Sequence, residues 1–185
     1  MVWRTVAVQA QKMEFAVYQE NKRIGTITAR KTTEEDISVY EVETRLSFRL
    51  LMPQRLVYTS RAVYKGSVLQ SSTAKSWLND KLHHSCTTSR KGDGYEVQND
   101  KEQSHHAGKI SYSGVLLYFF EPKTVSKVFS EMTGQMNSLH AQGSGKYELV
   151  DSKSKRKQTY IYQNGHLQQA ILTHVLLDLS VKRIR

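Results

Sequence analysis

From Tyr40 to Leu50 the chain alternates almost without interruption. Tyr40, Val42, Thr44, Leu46, Phe48 and Leu50 share one parity, and Glu41, Glu43, Arg45, Ser47 and Arg49 share the other. A period of two residues is the signature of a strand with one wet and one dry face. Similar runs follow one another from Met13 to Ile110 and are separated by turn residues at roughly 8- to 12-residue intervals. Such punctuation predicts an all-β chain: an antiparallel meander of about ten strands closing into a barrel or half-barrel.

The turn signals are specific. Asn21-Lys22, Lys65-Gly66, Asn79-Asp80, Gly92-Asp93-Gly94 and Asn164-Gly165 fall between alternating runs. Glycine and asparagine reach the positive φ that tight hairpins require. Gly25 lies inside a run and predicts a bulge or a close backbone approach. Lys31 to Asp36 reads as a charged loop, and Gly143-Ser144-Gly145 as a turn. Beyond Gly165, Leu167, Ile171, Val175, Leu177, Leu179 and Val181 share a parity and predict one long strand, with an amphipathic helix as the alternative.

Residues 113–136 break the rhythm. Val115 to Phe120 form a continuous apolar block that ends at Glu121-Pro122. One or two short helices near 114–133 are expected there, or a wholly buried segment plugging the barrel.

The chain has 185 residues, a size that fits one β-barrel domain over 13–185. Residues 1–12 read as a leader or signal remnant, because Val6-Ala7-Val8-Gln9-Ala10 ends on a small residue. Cys86 is the only cysteine, which excludes an intrachain disulfide. The net charge of +10 favours acidic partners: anionic membrane surfaces, polyanionic glycans or nucleic acid.

No catalytic constellation stands out. His84 and Cys86 share a strand face, His83 takes the other, and His105 and His106 are the remaining candidates for a zinc set. Nothing in the spacing joins them, so no metal and no cofactor are expected. Glu34-Glu35-Asp36 reads as solvated rather than as an acid–base pair. Cys86 lacks a glycine-rich elbow, and no phosphate-cradling glycine loop occurs. Lys153 to Lys157 and Lys182 to Arg185, with Tyr160 and Tyr162 as stacking rings, offer a nucleic-acid reading, but no recognition module accompanies them.

Several segments together carry a family resemblance. They are Lys22-Arg23-Ile24-Gly25, Tyr64-Lys65-Gly66-Ser67-Val68-Leu69, Gly94-Tyr95, Leu117 to Pro122, Val128-Phe129-Ser130-Glu131 and Tyr162-Gln163-Asn164-Gly165. Over residues 13–182 the chain resembles a group of uncharacterised secreted bacterial proteins, domains of unknown function. That group is similar to calycin-like or lipoprotein-carrier-like barrels. The resemblance implies export to the periplasm or outside, and it carries over no functional residue.

A barrel of this size leaves room for a cavity. The candidate lining is Tyr40, Val42, Leu46, Phe48, Tyr58, Ile171, Val175 and Leu177. The expected function is then non-enzymatic binding of an apolar or lipid-like molecule. The alternatives are a structural or protein-interaction module without ligand, and nucleic-acid binding through the basic loops. In the plainer reading the same residues simply pack as a core.

Overall fold

The structure is a computed structural model that describes residues 8–49, 51–173 and 178–184. Its strands are β1 (Gln9–Gln19), β2 (Lys22–Glu34), β3 (Ile37–Arg49), β4 (Pro53–Lys65), β5 (Val68–Leu78), β6 (Lys81–Lys91) and β7 (Gly94–Asn99). They continue as β8 (Glu102–Ala107), β9 (Lys127–Ser130), β10 (Gln135–Gly143), β11 (Lys146–Val150), β12 (Lys157–Gln163), β13 (His166–Thr173) and β14 (Asp178–Arg183). All belong to one 14-stranded sheet in the order β8-β7-β6-β5-β4-β3-β2-β1-β14-β13-β12-β11-β10-β9. Every chain neighbour pairs with the next except β8 with β9, and β14 folds back onto β1.

Every strand pairing is antiparallel, so successive turns alternate between two rims. The first rim carries the β1–β2, β3–β4, β5–β6, β7–β8, β9–β10, β11–β12 and β13–β14 connections. The second carries the others, including the β8–β9 link. That link, residues 108–126, enters from the second rim and fills the interior. A 3-10 helix, Gly114–Tyr118, buries Val115, Leu116 and Leu117. The Tyr162 hydroxyl donates to the Leu117 carbonyl at 2.6 Å, and Tyr118 meets Phe15 edge-on at 5.6 Å between ring centres. The apolar block of the sequence is therefore the plug of the fold.

The sheet ends meet without strand pairing. Asn99 Nδ2 donates to the Thr133 carbonyl at 3.1 Å, which sets the β9–β10 turn against β6 and β7. Fourteen strands replace the expected ten or so. Three local effects account for much of the difference. In place of one long strand, β13 and β14 are two strands that pair antiparallel, with 174–177 outside the described residues. β10 carries a weak strand signal, because its alternation, with Asn137 and Leu139 inward and Ser138 and His140 outward, is carried partly by polar residues. The 125–132 stretch contains β9, an extended piece where a second helix was one reading. Lys31 to Glu34 continue β2, so the charged loop shrinks to a turn at Glu35 and Asp36. Gln9 to Lys12 pair with Arg30 to Thr33 in the sheet; residues 1–7 lie outside the described residues.

Bulges shift the inward parity. At β1–β2, Val17 faces Gly25 and Tyr18 faces Arg23, which leaves Ile24 as the extra residue. The backbone there approaches β3 closely. A Cβ on Gly25 would collide with the Arg45 carbonyl oxygen and stand 2.8 Å from Leu46 Cδ2. Gly25→Ala is expected to lower unfolding free energy by about 1–3 kcal/mol, since rigid ladder backbone cannot yield as a side chain would. Urea titration of the two proteins measures it; equal midpoints would show that β2 and β3 separate freely here.

Candidate functional site

Inner-face residues of β3 and β4 form one wall of a pocket of about 400 Å³: Val42, Thr44, Tyr58 and Ser60. Leu149 and Tyr160, on β11 and β12, line it too, and the plug contributes Val115, Leu117 and Tyr118. Glu131 to Thr133 and Asp151, from first-rim connections, line it as well, with Asn137 of β10. The plug thus fills the interior from the second rim, and the space left lies toward the first.

Glu131 is the one buried acid among the described residues, at 4% exposure. Its Oε1 accepts the Val115 N–H at 3.1 Å, and the Ser113 hydroxyl and Gly114 N–H also hydrogen-bond it. Ser113 in turn accepts the Tyr64 hydroxyl at 2.7 Å, which makes a buried relay from β4 through the plug to the carboxyl. Burial pushes the Glu131 carboxyl above its ordinary range, outweighing the donors, which pull it down. Gly114 leaves room for this contact. A Cβ there would lie 2.8 Å from Glu131 Oε2. The carboxyl anchors the start of the plug and also lines the pocket.

The candidate lining residues separate in the structure. Val42 and Tyr58 line the pocket. Tyr40 is buried against Tyr64, Phe119 and Phe120 at ring separations of 5.7, 5.2 and 6.1 Å. Leu46 and Phe48 are core residues outside the pocket lining. Ile171 is 43% exposed. The cause is a bulge: Tyr162 faces Leu167 and Ile161 faces Gln169, so the extra Gln168 reverses parity and turns Ile171 outward. Val175 and Leu177 lie outside the described residues.

Sequence reasoning missed Glu131, Leu149 and Tyr160 as pocket residues. Glu131 sits before a glycine-ended turn, where an acid ordinarily meets water, and only the fold reveals its burial. Tyr160 and Tyr162 alternate inward, 5% and 3% exposed, so neither ring is available to stack a base.

The histidine–cysteine group is split by its own hydrogen bonds. His84 Nδ1 lies 2.5 Å from Asp100 and Nε2 2.6 Å from the Met132 carbonyl, which occupies both ring nitrogens. His83 is the bulged residue of β6, since Ser76 faces His84 and Trp77 faces Leu82. His106 packs between the Tyr95 and Phe129 rings. Cys86 is fully buried, and burial pushes its thiol up to about 11, which keeps it protonated at neutral pH. Among the described residues no three His, Cys, Asp or Glu side chains are placed to hold a metal ion.

Residues 15–184 match a family model described as a domain of unknown function, DUF6134. The chain belongs to that family. DUF6134 covers β1 from Phe15 onward and all the later strands, plug included. A solved structure, the β-barrel-like protein of the domain of unknown function DUF1849 from Brucella abortus, is similar to this DUF6134 chain with a TM-score of 0.51. The two share 10% identity, with 98% of this chain and 97% of that one covered. At such identity the likeness concerns the fold alone. No curated protein matches the chain.

Proposed function

We propose that this DUF6134 protein is a non-enzymatic, exported binding protein for an apolar or lipid-like ligand held in the pocket beneath the first rim. The observation that carries the reading is the pocket itself. Its volume of about 400 Å³ falls within the ordinary range for small-molecule sites, roughly 300–1,000 Å³. Val42, Val115, Leu117 and Leu149 supply apolar wall, and Tyr58 and Tyr160 supply aromatic faces. Glu131 and Asn137 offer polar atoms to fix one end of a ligand. Affinity comes from apolar burial, about 25 cal/mol per Å² before ordering costs. The calycin-like and lipoprotein-carrier-like reading, with a periplasmic or secreted location, belongs to this proposal and rests on the sequence resemblance.

Native mass spectrometry followed by organic extraction tests it. A bound mass that extracts as lipid is expected, and Val42→Phe, which fills the pocket from its wall, is expected to remove that mass. A bare protein mass, unchanged after incubation with mixed lipids, would sink the ligand reading.

One observation favours a second reading. β8 ends the sheet, and its residues Glu102 to His105 and Ala107 are all exposed. An open edge accepts a partner strand through main-chain hydrogen bonds. A bound peptide mass in the same experiment would select this interaction role.

A further inference from the structure

The most exposed large apolar residues of the described chain sit side by side. Leu51 is 97% exposed and Met52 69%, at the tip of the β3–β4 hairpin on the first rim. Leu82, 57% exposed, follows the β5–β6 turn on the same rim. A protruding tip of this kind is too small for a stable protein interface, which takes about 1,000 Å² or more of buried surface. It suits insertion between lipid headgroups, where a few apolar side chains act with a basic surround.

That surround is present. Arg49 and Arg55 flank the tip, Lys22 and Arg23 follow the β1–β2 turn, and Lys81 follows the β5–β6 turn. Among the described residues Lys22, Arg23, Arg49 and Lys81 form no ion pair, whereas Arg55 meets Asp80 at 2.7 Å. The basic loop of Lys153, Lys155 and Arg156 joins β11 to β12 on this rim as well.

Two acids of the rim are hydrogen-bonded to neighbouring backbone and keep their charge. Asp151 accepts the Lys153 and Ser154 N–H groups at 3.1 and 2.6 Å. Asp100 accepts the Ser85 N–H at 2.8 Å and faces His84. Glu20, Glu102 and Asp178 are the remaining acids of this rim. The opposite rim carries Glu34, Glu35 and Asp36 at the β2–β3 turn together with Lys65, Lys91 and Lys146, and Lys65 meets Asp36 at 3.6 Å. What sets the first rim apart is the apolar tip with cations gathered around it, the combination that favours a negative lipid surface.

We infer that the first rim docks on an anionic lipid bilayer, with Leu51 and Met52 entering the headgroup layer and the rim cations holding the lipid phosphates. This goes beyond the ligand reading and holds whether or not the pocket is filled. The pocket lies toward the same rim, so a docked molecule would turn its pocket toward the bilayer.

Co-sedimentation with vesicles tests the inference. The full chain is expected to bind mixed phosphatidylcholine–phosphatidylglycerol vesicles, to bind pure phosphatidylcholine far less, and to release in high salt. Leu51→Ser with Met52→Ser is expected to weaken binding by about tenfold or more, the scale for exposing two buried apolar side chains. Both sites are exposed, so thermal midpoints should stay unchanged and separate docking from folding. Leu51→Trp should show blue-shifted emission only with anionic vesicles. Binding that the double substitution leaves intact would overturn the inference, as would no binding to either vesicle. So would a wild-type dimer that the substitution dissolves, because a second copy would then cover the tip. Ligand mass is read on these same variants and is expected to be unchanged, so failure of docking and failure of the ligand reading are distinguishable.

Discussion

Phe129→Ala is expected to cost about 3–5 kcal/mol of unfolding free energy, the range for removing a buried aromatic ring whose site cannot collapse. The position explains why collapse is blocked. Phe129 is 0% exposed on β9, the four-residue strand that ends the sheet. Its N–H donates to the Tyr112 carbonyl at 3.0 Å, tying the strand to the plug. It forms an isolated parallel bridge with Ser113. Its ring lies 6.1 Å from His106 on β8, at the other end of the sheet. One side chain thus touches the plug and both ends of a sheet whose terminal strands do not pair. Urea denaturation measures the loss, with the exposed neighbour Lys127→Ala as a control expected to change stability by less than about 0.5 kcal/mol. A loss below about 1 kcal/mol for Phe129→Ala would mean that the plug is held elsewhere.

The same region shows what a sequence can and cannot disclose. Hairpins were legible where turn chemistry is local. Asn164 and Gly165 take φ of 52° and 77°, and Asn79 and Asp80 take 49° and 65°, as tight turns demand. The β3 alternation was legible because no bulge interrupts its pairing with β2 or β4. Ile171 was misread because one extra residue, Gln168, reverses every side chain after it, and bulges carry no strong local signature. Val115 to Phe120 announced burial but not location. Their continuous apolarity points to burial, which holds for Val115, Leu116, Leu117 and Phe119 while Phe120 stays 41% exposed, and only the topology makes them a plug entering from the second rim. Glu131 was illegible for the opposite reason. Its partners Ser113, Gly114 and Val115 precede it by a loop and a strand, and a carboxyl in a turn looks solvated until the plug is placed over it.

Glu131→Ala is expected to destabilise the protein by about 2–5 kcal/mol, because it leaves buried donors unpaired and opens a cavity at the plug's root. Glu131→Gln separates hydrogen bonding from charge. The amide keeps the volume and an acceptor for the Val115 N–H, and it cannot ionise. The sign of the pH effect follows from burial. A carboxyl raised above its ordinary value near 4.5 favours the folded state while neutral. Its contribution is complete below that value and is lost as pH rises through the folded one. Wild-type stability should therefore decline on the alkaline side of pH 4.5 relative to Glu131→Gln, until the folded carboxyl has ionised. Urea titrations of both proteins from about pH 4 to about pH 9 read the difference directly. If the two profiles run parallel, the carboxyl titrates normally and is not closed off from water. If they diverge as expected, the charge that forms at higher pH sits beneath Gly114 and Val115, so ionisation of one buried acid loosens the plug that forms one side of the pocket.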